Sequence, residues 1–208
     1  MKTWVASLAL LTAAATAADE AALLAQLRTG PAVERRAAAA RLAEIGTAAA
    51  TGELAKALRD ADAEVRGAAQ AALWAIWQRS GDPDVDILLQ RGIALMDEGR
   101  YLDAATVFGE VIDRAPAFAE GWNKRATVYY LMGEYDRSLA DCEEVMRRNP
   151  IHFGALSGFG LIYLQKGDLE RAAEYFERAL AVNPNLGQVE AVLDQLREVL
   201  KQRRRRAI

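Results

Sequence analysis

Few residues of this sequence have the types and the spacing that catalysis or metal binding requires. The 208-residue chain contains one cysteine and one histidine, which excludes an intrachain disulfide and a histidine-rich metal site. It also has no glycine-rich phosphate loop, no Gly-x-Ser-x-Gly turn and no His-Glu-x-x-His helix. We therefore expect no enzymatic activity, no cofactor and no bound metal.

Three alternating aspartates, Asp82, Asp84 and Asp86, suggest a calcium loop at first sight. Such a loop needs glycine at its sixth position and glutamate at its twelfth, and this chain has Ile87 and Ile93 there. Acidic residues are also favoured at the start of a helix, where they face the positive end of the helix dipole. The spacing favours this second interpretation.

The single cysteine and the single histidine each allow two interpretations. Cys142 lies at an apolar position of a predicted helix, which favours a small buried residue; the alternative is a reactive thiol. His152 follows Pro150, and we expect it at the surface or between repeats. A catalytic role for His152 would require a partner, and none is recognisable in the sequence.

Composition predicts a helical protein. Alanine, the strongest helix former, accounts for 43 residues, and proline for only 5. The net charge is −3, although five basic residues lie close together between Lys201 and Arg206. An acidic body with a short basic tail is unsuited to nucleic acid, which requires a basic face.

Residues 1–18 have the features of an export signal. Lys2 precedes an apolar run over residues 4–11, and Ala15, Thr16 and Ala17 form a small-x-small cleavage site. The apolar run is too short to span a bilayer. These features predict an exported, periplasmic protein; the alternative is an alanine-rich first helix.

Residues 19–80 contain a repeat with a period of 31 residues. Residues 27–46 align with residues 58–77, and the matched positions include Leu27 with Leu58 and Leu42 with Leu73. Each copy is predicted to be two helices around a break, at Gly30-Pro31 and at residues 60–62. The string over residues 58–69 resembles the HEAT-like repeats of α-solenoid proteins. Trp74 and Trp77 at its end are interpreted as a seam with the next repeats, or alternatively as an exposed aromatic patch.

Residues 81–186 follow a second period, of 34 residues. Prolines and glycines recur at this spacing, since proline ends a helix and glycine adopts the backbone of a tight turn. Small and large apolar residues recur as well. The positions are Pro116, Pro150 and Pro184; Gly99, Gly133 and Gly167; Gly92, Ala126 and Gly160; Phe108, Cys142 and Phe176.

This pattern resembles the tetratricopeptide repeat in three copies, at residues 85–118, 119–152 and 153–186. The chain departs from the family at Arg91 and Arg125, where leucine is favoured, and at Cys142, where a bulky apolar residue is favoured. Residues 187–208 hold an apolar stripe and the basic tail, and fit the cap that ends a solenoid. The predicted fold class is an all-α, right-handed solenoid of helical hairpins with a C-terminal capping helix.

The resemblance implies a groove that binds a peptide or a partner helix along the first helix of each repeat. Asn123 would hydrogen-bond the partner's backbone there, and no clamp for a terminal carboxylate is expected, because the third repeat offers no basic groove residue. The implied groove residues are Leu89, Ile93, Met96, Asn123, Thr127, Tyr130, Ser157, Leu161 and Leu164.

These features predict a non-catalytic interaction scaffold of the cell envelope with a protein or peptide partner. An alternative is a structural subunit of the envelope, held to an anionic membrane surface by Arg203, Arg204, Arg205 and Arg206. A solvated helix end would carry the same residues. The sequence leaves the partner and the oligomeric state open.

Overall fold

The structure is a computed structural model that describes residues 17–206. Residues 1–16, which carry most of the predicted export signal, lie outside the described residues, as do residues 207–208. The described part contains helices, turns and coil but no strand, which confirms the all-α fold class. The chain forms two compact units, and the boundary falls between Trp77 and Gln78. None of the helices in residues 17–206 is long and apolar enough to cross a membrane.

The described part of the N-terminal unit is helical, and α3 and α4 form a hairpin. Helix α2 packs against α4, and α3 also contacts α4. The elements are α1 over residues 17–29, α2 over Ala32–Ile45, a 3-10 turn over Ala48–Ala50, α3 over Thr51–Ala57 and α4 over Ala63–Trp77.

The second break in this unit is built by aspartates. The carboxylate of Asp62 accepts hydrogen bonds from the backbone N–H groups of Glu64 (2.8 Å) and Val65 (3.1 Å), which caps the start of α4. Asp60 accepts two bonds of 2.7 Å from the Arg35 guanidinium on α2. This hydrogen-bonded guanidinium lowers the pKa of Asp60. The break therefore also holds α2 to the second hairpin.

The C-terminal unit contains three consecutive hairpins and a final helix. Each helix packs most extensively on its neighbours in sequence, as expected for stacked repeats. The hairpins are α5 over Pro83–Asp97 with α6 over Tyr101–Arg114, α7 over Ala119–Leu131 with α8 over Tyr135–Arg148, and α9 over Phe153–Gln165 with α10 over Leu169–Val182; α11 spans Gly187–Arg206.

A left-handed glycine ends the first helix of each hairpin. Gly99, Gly133 and Gly167 have φ angles of 74°, 76° and 77°, a region that a side chain makes costly. The residue after each glycine then donates its N–H back into the helix, as in the 2.8 Å bond from Glu134 to the Tyr129 carbonyl. The 34-residue recurrence of glycine therefore reflects one repeated turn.

Glycine also allows the two helices of a hairpin to approach closely. A Cβ added at Gly92 would lie 2.4 Å from the Phe108 ring, and one added at Gly160 would lie 2.4 Å from the Phe176 ring. Both rings are buried, and each ring packs into the space left by the missing side chain of its glycine.

Helix α11 covers the last repeat. Leu193, Leu196 and Leu200 are buried against α10 residues that include Leu169 and Phe176. The apolar stripe of α11 therefore packs on α10, and the charged residues of α11 are exposed on the remaining surface.

Candidate functional site

A pocket of about 140 Å³ lies between the first helices of the second and third repeats. We call it the α7–α9 pocket. Helices α7 and α9 form its walls, and α8 contributes two residues. Its lining consists of Asn123, Ala126, Thr127, Tyr130, Ser138, Cys142, Gly154, Ala155, Ser157, Gly158, Leu161 and Ile162.

The structure brings five of the nine predicted groove residues together in this pocket. They come from two helices that are more than twenty residues apart in sequence. Thr127 and Leu161 are exposed, Tyr130 and Ser157 are half-buried, and Asn123 has 9% of its surface exposed. The predicted groove residues of the second and third repeats therefore lie on one shared surface. Those of the first repeat are not part of this surface.

The predicted groove residues of the first repeat lie elsewhere. Leu89 is fully buried in the core of the first hairpin, so the prediction that it meets a partner is wrong. Ile93 and Met96 are half-buried and pack against the same core. Leu164 is also half-buried and packs against the core between α10 and α11 rather than in the pocket. Helical spacing alone did not separate the face toward the groove from the face toward the neighbouring helix.

The hydroxyl groups of the pocket donate their protons to the backbone of their own hairpin. Thr127 donates to the Asn123 carbonyl (2.9 Å), Ser157 to the Phe153 carbonyl (2.8 Å) and Ser138 to the Ala126 carbonyl (2.7 Å). Each hydroxyl oxygen then retains acceptor capacity only. The pocket is neutral, since no lining residue carries a charge.

A buried polar cluster supports one wall of the pocket. The Glu120 carboxylate accepts a 3.1 Å bond from the side chain of Asn123, and Lys124 Nζ lies 3.2 Å from its other oxygen. His152 Nε2 lies 3.1 Å from Glu120 Oε2, and its Nδ1 accepts a 3.0 Å bond from the Ala155 N–H. These bonds assign the proton to Nε2 and make Nδ1 the cap of α9.

The cluster joins the second repeat to the third. Glu120 and His152 are both fully buried, which agrees with an inter-repeat position for His152. Burial by itself raises the pKa of Glu120, but the hydrogen bond from His152 Nε2 and the nearby Lys124 ammonium outweigh it, so that the pKa lies below its usual value. The carboxylate is therefore ionised at neutral pH and orients Asn123. Sequence reasoning did not pair Glu120 with His152, because the 32-residue separation carries no local signal.

Cys142 lies in the lining of the pocket but has only 3% of its surface exposed. Burial raises the pKa of its thiol to about 12. The thiol is therefore protonated at neutral pH, which confirms the interpretation as a small buried residue over that of a reactive nucleophile.

Arg125, which departs from the family pattern, ties α7 to α8. Its guanidinium donates two bonds of 2.8 Å to the Asp141 carboxylate, and that carboxylate raises the pKa of Arg125 further. The guanidinium also lies 5.1 Å from the ring centre of Trp122 and 5.7 Å from that of Tyr129. An arginine at this position is thus part of the hairpin's own packing.

The other residues singled out by the sequence have structural roles. Asp82 caps α5 by accepting a 2.9 Å bond from the Asp84 N–H, and Asp86 accepts bonds from Ser80. These bonds agree with the helix-start interpretation of the three aspartates. The rings of Trp74 and Trp77 meet edge to face at 5.5 Å, and Trp77 is largely buried. That Trp74 and Trp77 form a seam between the HEAT-like and the tetratricopeptide repeats remains a prediction.

The basic end of α11 faces an acidic wall. A cleft of about 490 Å³ has Arg197, Lys201, Arg204 and Arg205 on one side, and three glutamates of α10 on the other. Arg197 bonds Glu177 at 2.9 Å. Arg203, Arg204 and Arg205 are exposed, while the side chain of Arg206 lies outside the described residues. Part of the positive charge of the tail is thus countered within the unit.

The fold defines a class, that of helical-repeat proteins, and the α7–α9 pocket lies between two of the repeats. The tetratricopeptide repeat model matches residues 89–150 and 124–187. A TPR repeat-containing protein of Rhizobium etli is 36% identical over 108 residues, which cover 52% of this chain and 53% of that protein. The chain thus spans about half the length of this relative. Residues 89–187 therefore contain tetratricopeptide repeats, a type of repeat that typically serves in protein–protein interaction.

Solved structures of low sequence identity share this fold. The tetratricopeptide domain of Sgt2 from Aspergillus fumigatus has a TM-score of 0.56 at 23% identity, covering 60% of this chain and 83% of that one. The first such domain of Spaghetti (RPAP3), bound to the HSP90 peptide SRMEEVD, has a TM-score of 0.54 at 22% identity. That match covers 56% of this chain and 93% of that chain. At these identities the likeness establishes the fold alone.

Proposed function

We propose that this protein is a non-catalytic adaptor that binds a peptide segment of a partner protein across the α7–α9 pocket. The observation that carries the proposal is the convergence of Asn123, Thr127, Tyr130, Ser157 and Leu161 on one neutral, partly apolar cavity. Leu161, with 38% of its surface exposed, and Leu131, with 47%, add apolar surface on the same helices. Apolar patches with a few polar groups are typical of peptide-binding surfaces.

The chemistry of the pocket distinguishes its partner from the peptide of the RPAP3 domain. The RPAP3 domain was solved with a peptide that ends in Glu-Glu-Val-Asp. The α7–α9 pocket has no basic lining residue to pair with such an acidic end. The partner segment is therefore expected to be uncharged where it meets the pocket, with backbone N–H groups bonded by Thr127 and Ser157.

Selection of peptides from a displayed random library tests this proposal. Peptides captured by the full chain are expected to lose at least tenfold in affinity for the double variant Tyr130→Ala and Leu161→Ala. Ile87→Ala with Leu102→Ala is the matched control, because these two side chains are 66% and 71% exposed and lie outside the pocket. Unchanged affinity of the first variant, with its helix content intact, would assign binding to another face.

We further propose that residues 19–80 are a HEAT-like pair that extends the scaffold. The matched leucines Leu27 and Leu58 are both buried, and so are Leu42 and Leu73. Equivalent positions should then contribute equally, so Leu42→Ala and Leu73→Ala are each expected to destabilise this unit by about 2–4 kcal/mol. Strongly unequal losses in urea unfolding would argue against a repeat.

We also propose that the protein is exported and works in the cell envelope. The support is the order of charge, apolar run and cleavage site in residues 1–18. Cell fractionation should find a shortened protein in the periplasm, and a chain lacking residues 2–18 in the cytoplasm. A full-length protein in the cytoplasm would contradict the proposal.

The basic end of α11 favours a second candidate function, contact with an anionic membrane surface. Three successive exposed arginines, Arg203 to Arg205, are the observation behind it. Vesicles containing phosphatidylglycerol should sediment the protein at low salt and release it at high salt. The triple variant Arg203→Gln, Arg204→Gln and Arg205→Gln should lose this binding. Vesicle binding that does not depend on the salt concentration would exclude electrostatic attachment through these arginines.

A further inference from the structure

The α7–α9 pocket borders on the middle repeat, which departs from its neighbours at one pair of positions. In the first and third repeats the pairs are Gly92 with Phe108 and Gly160 with Phe176, each sixteen residues apart. Their rings fill the space beside the glycine. The middle repeat has Ala126 and Cys142 at the same spacing. Cysteine has far fewer side-chain atoms than phenylalanine, and the added methyl of Ala126 does not replace the lost ring.

The side chains of this pair lie at the bottom of the α7–α9 pocket, and each has 3% of its surface exposed. Ala126 and Cys142 both line the α7–α9 pocket, together with Gly158 and Leu161 on the facing helix. The Cys142 sulfur would lie 3.6 Å from a Cβ added at Gly158, so ordinary contact distance separates α8 from α9 here. The bottom of the pocket is therefore formed by the pair that replaces the glycine and phenylalanine of the other repeats.

Charge and size identify what fits there. All twelve lining residues are neutral, and the hydroxyl groups of buried Ser138 and exposed Thr127 are already bonded to backbone carbonyls. A charged side chain would find no counter-ion and would lose its hydration. The volume of about 140 Å³ is close to that of apolar cavities that bind benzene.

We propose that the α7–α9 pocket receives one uncharged apolar side chain of a partner peptide, between leucine and phenylalanine in size, which packs onto the Ala126–Cys142 pair. This inference rests on the proposed peptide-binding function and adds the anchor residue that the partner must present. The remainder of the peptide lies along α7 and α9, where Thr127 and Ser157 accept bonds from its backbone.

The test uses a variant that gives the middle repeat the pair of its neighbours. Ala126→Gly with Cys142→Phe should fill the pocket from inside while it reproduces the glycine–phenylalanine contact of the other two repeats. For a library-selected peptide with one essential apolar residue, we expect the filled protein to lose at least tenfold in affinity. A peptide with that residue replaced by alanine should bind both proteins equally.

Benzene provides a probe that is independent of any peptide. Titration into the full chain should shift the amide signals of Cys142 and Gly158, and the filled variant should show no such shifts. If the filled variant does not fold, Gly158→Ala replaces it, since its methyl would meet only the Cys142 sulfur at ordinary contact distance. The Gly158→Ala variant should bind benzene and the library-selected peptide at least threefold more weakly than the original protein does.

The outcomes separate this inference from the proposed function. Equal peptide affinity for the filled and original proteins, with loss in Tyr130→Ala plus Leu161→Ala, would overturn the anchor and leave the groove in place. No effect of either variant would overturn both. Selection of peptides with a charged essential residue would also overturn the inference, because the occupant would then be of another chemical kind. A filled variant that changes its oligomeric state but not its peptide affinity would overturn it as well, because the occupant would then be a second copy of the chain.

Discussion

At the scale of single residues, the repeats depend on side-chain size at positions where helices meet. Gly92 and Gly160 face rings at distances that no Cβ atom tolerates, whereas Gly109 has only one atom near it, an Arg125 nitrogen at 3.9 Å. All three glycines lie within helices, so their intrinsic effect on helix stability is the same. Their different surroundings therefore predict opposite outcomes for one substitution.

We expect Gly160→Ala to destabilise the C-terminal unit by about 2 kcal/mol, because overpacking forces the Phe176 ring out of its site. Gly109→Ala should instead stabilise it by about 0.5–1 kcal/mol through the entropy of the unfolded chain. Urea unfolding followed by circular dichroism measures both changes. Equal effects of the two variants would show that the close approach at Gly160 is not a constraint.

At the scale of helices and their connections, the middle hairpin is held by more than its apolar core. Asp141 has 5% of its surface exposed and is bonded twice by Arg125, while Arg137 and Arg148 lie over Tyr129 and Trp122. The same hairpin contains the small Ala126–Cys142 pair. The element thus combines a reduced core with a polar and aromatic outer layer.

Removing one partner of the α7–α8 pair should be costly. Asp141→Ala leaves the Arg125 guanidinium half-buried without its carboxylate, and we expect a loss of about 2 kcal/mol in the free energy of unfolding. Asp136→Ala is the control, because Asp136 is 89% exposed where it meets Lys166. The control should change stability little, since exposed ion pairs contribute little. A loss in Asp136→Ala as large as in Asp141→Ala would contradict this difference.

At the scale of the whole molecule, the C-terminal unit is a stack in which each interface depends on its neighbours. The contact between the second and third repeats contains the buried side chains of Glu120 and His152, with Lys124 beside the carboxylate. The same contact supports the wall of the α7–α9 pocket through Asn123. The stability of the unit and the proposed peptide binding therefore both depend on this interface.

This coupling predicts a dependence on pH. Because the pKa of Glu120 is lower in the folded protein than its ordinary value of 4.5, the ionised carboxylate stabilises the fold above about pH 4.5, and this contribution is lost as the pH falls through the folded value. Glu120→Gln should therefore show a shallower loss of stability below pH 4.5. Glu143→Gln, on the exposed side of α8, should follow the original protein.

His152→Ala tests the same interface at neutral pH. It removes the bond to Glu120 and the cap of α9, so the buried carboxylate keeps its charge without this donor. We expect a loss of about 3 kcal/mol, measured by urea unfolding at pH 7. A loss below 1 kcal/mol would show that Lys124 and Asn123 suffice to hold the carboxylate.

Much of the fold could be predicted from the sequence because repeats encode local structure. The periods of 31 and 34 residues, the glycine at each turn and the aspartate cap at Asp62 are all decided by interactions within a few residues. The glycine–phenylalanine spacing likewise follows from the geometry of a single hairpin. The sequence could therefore indicate hairpins, turns and an all-α fold without knowledge of how the helices stack.

Tertiary structure decided which of the predicted groove residues share a surface. Leu89 and Leu161 both fit the spacing of a groove helix, yet Leu89 is buried in its own hairpin and Leu161 opens onto the α7–α9 pocket. The pairing of Glu120 with His152 and the cavity beside Cys142 likewise depend on the angle and distance between helices from different repeats. Local sequence determines the face that a residue occupies within a helix, whereas the packing of neighbouring helices determines whether that face meets core, pocket or solvent.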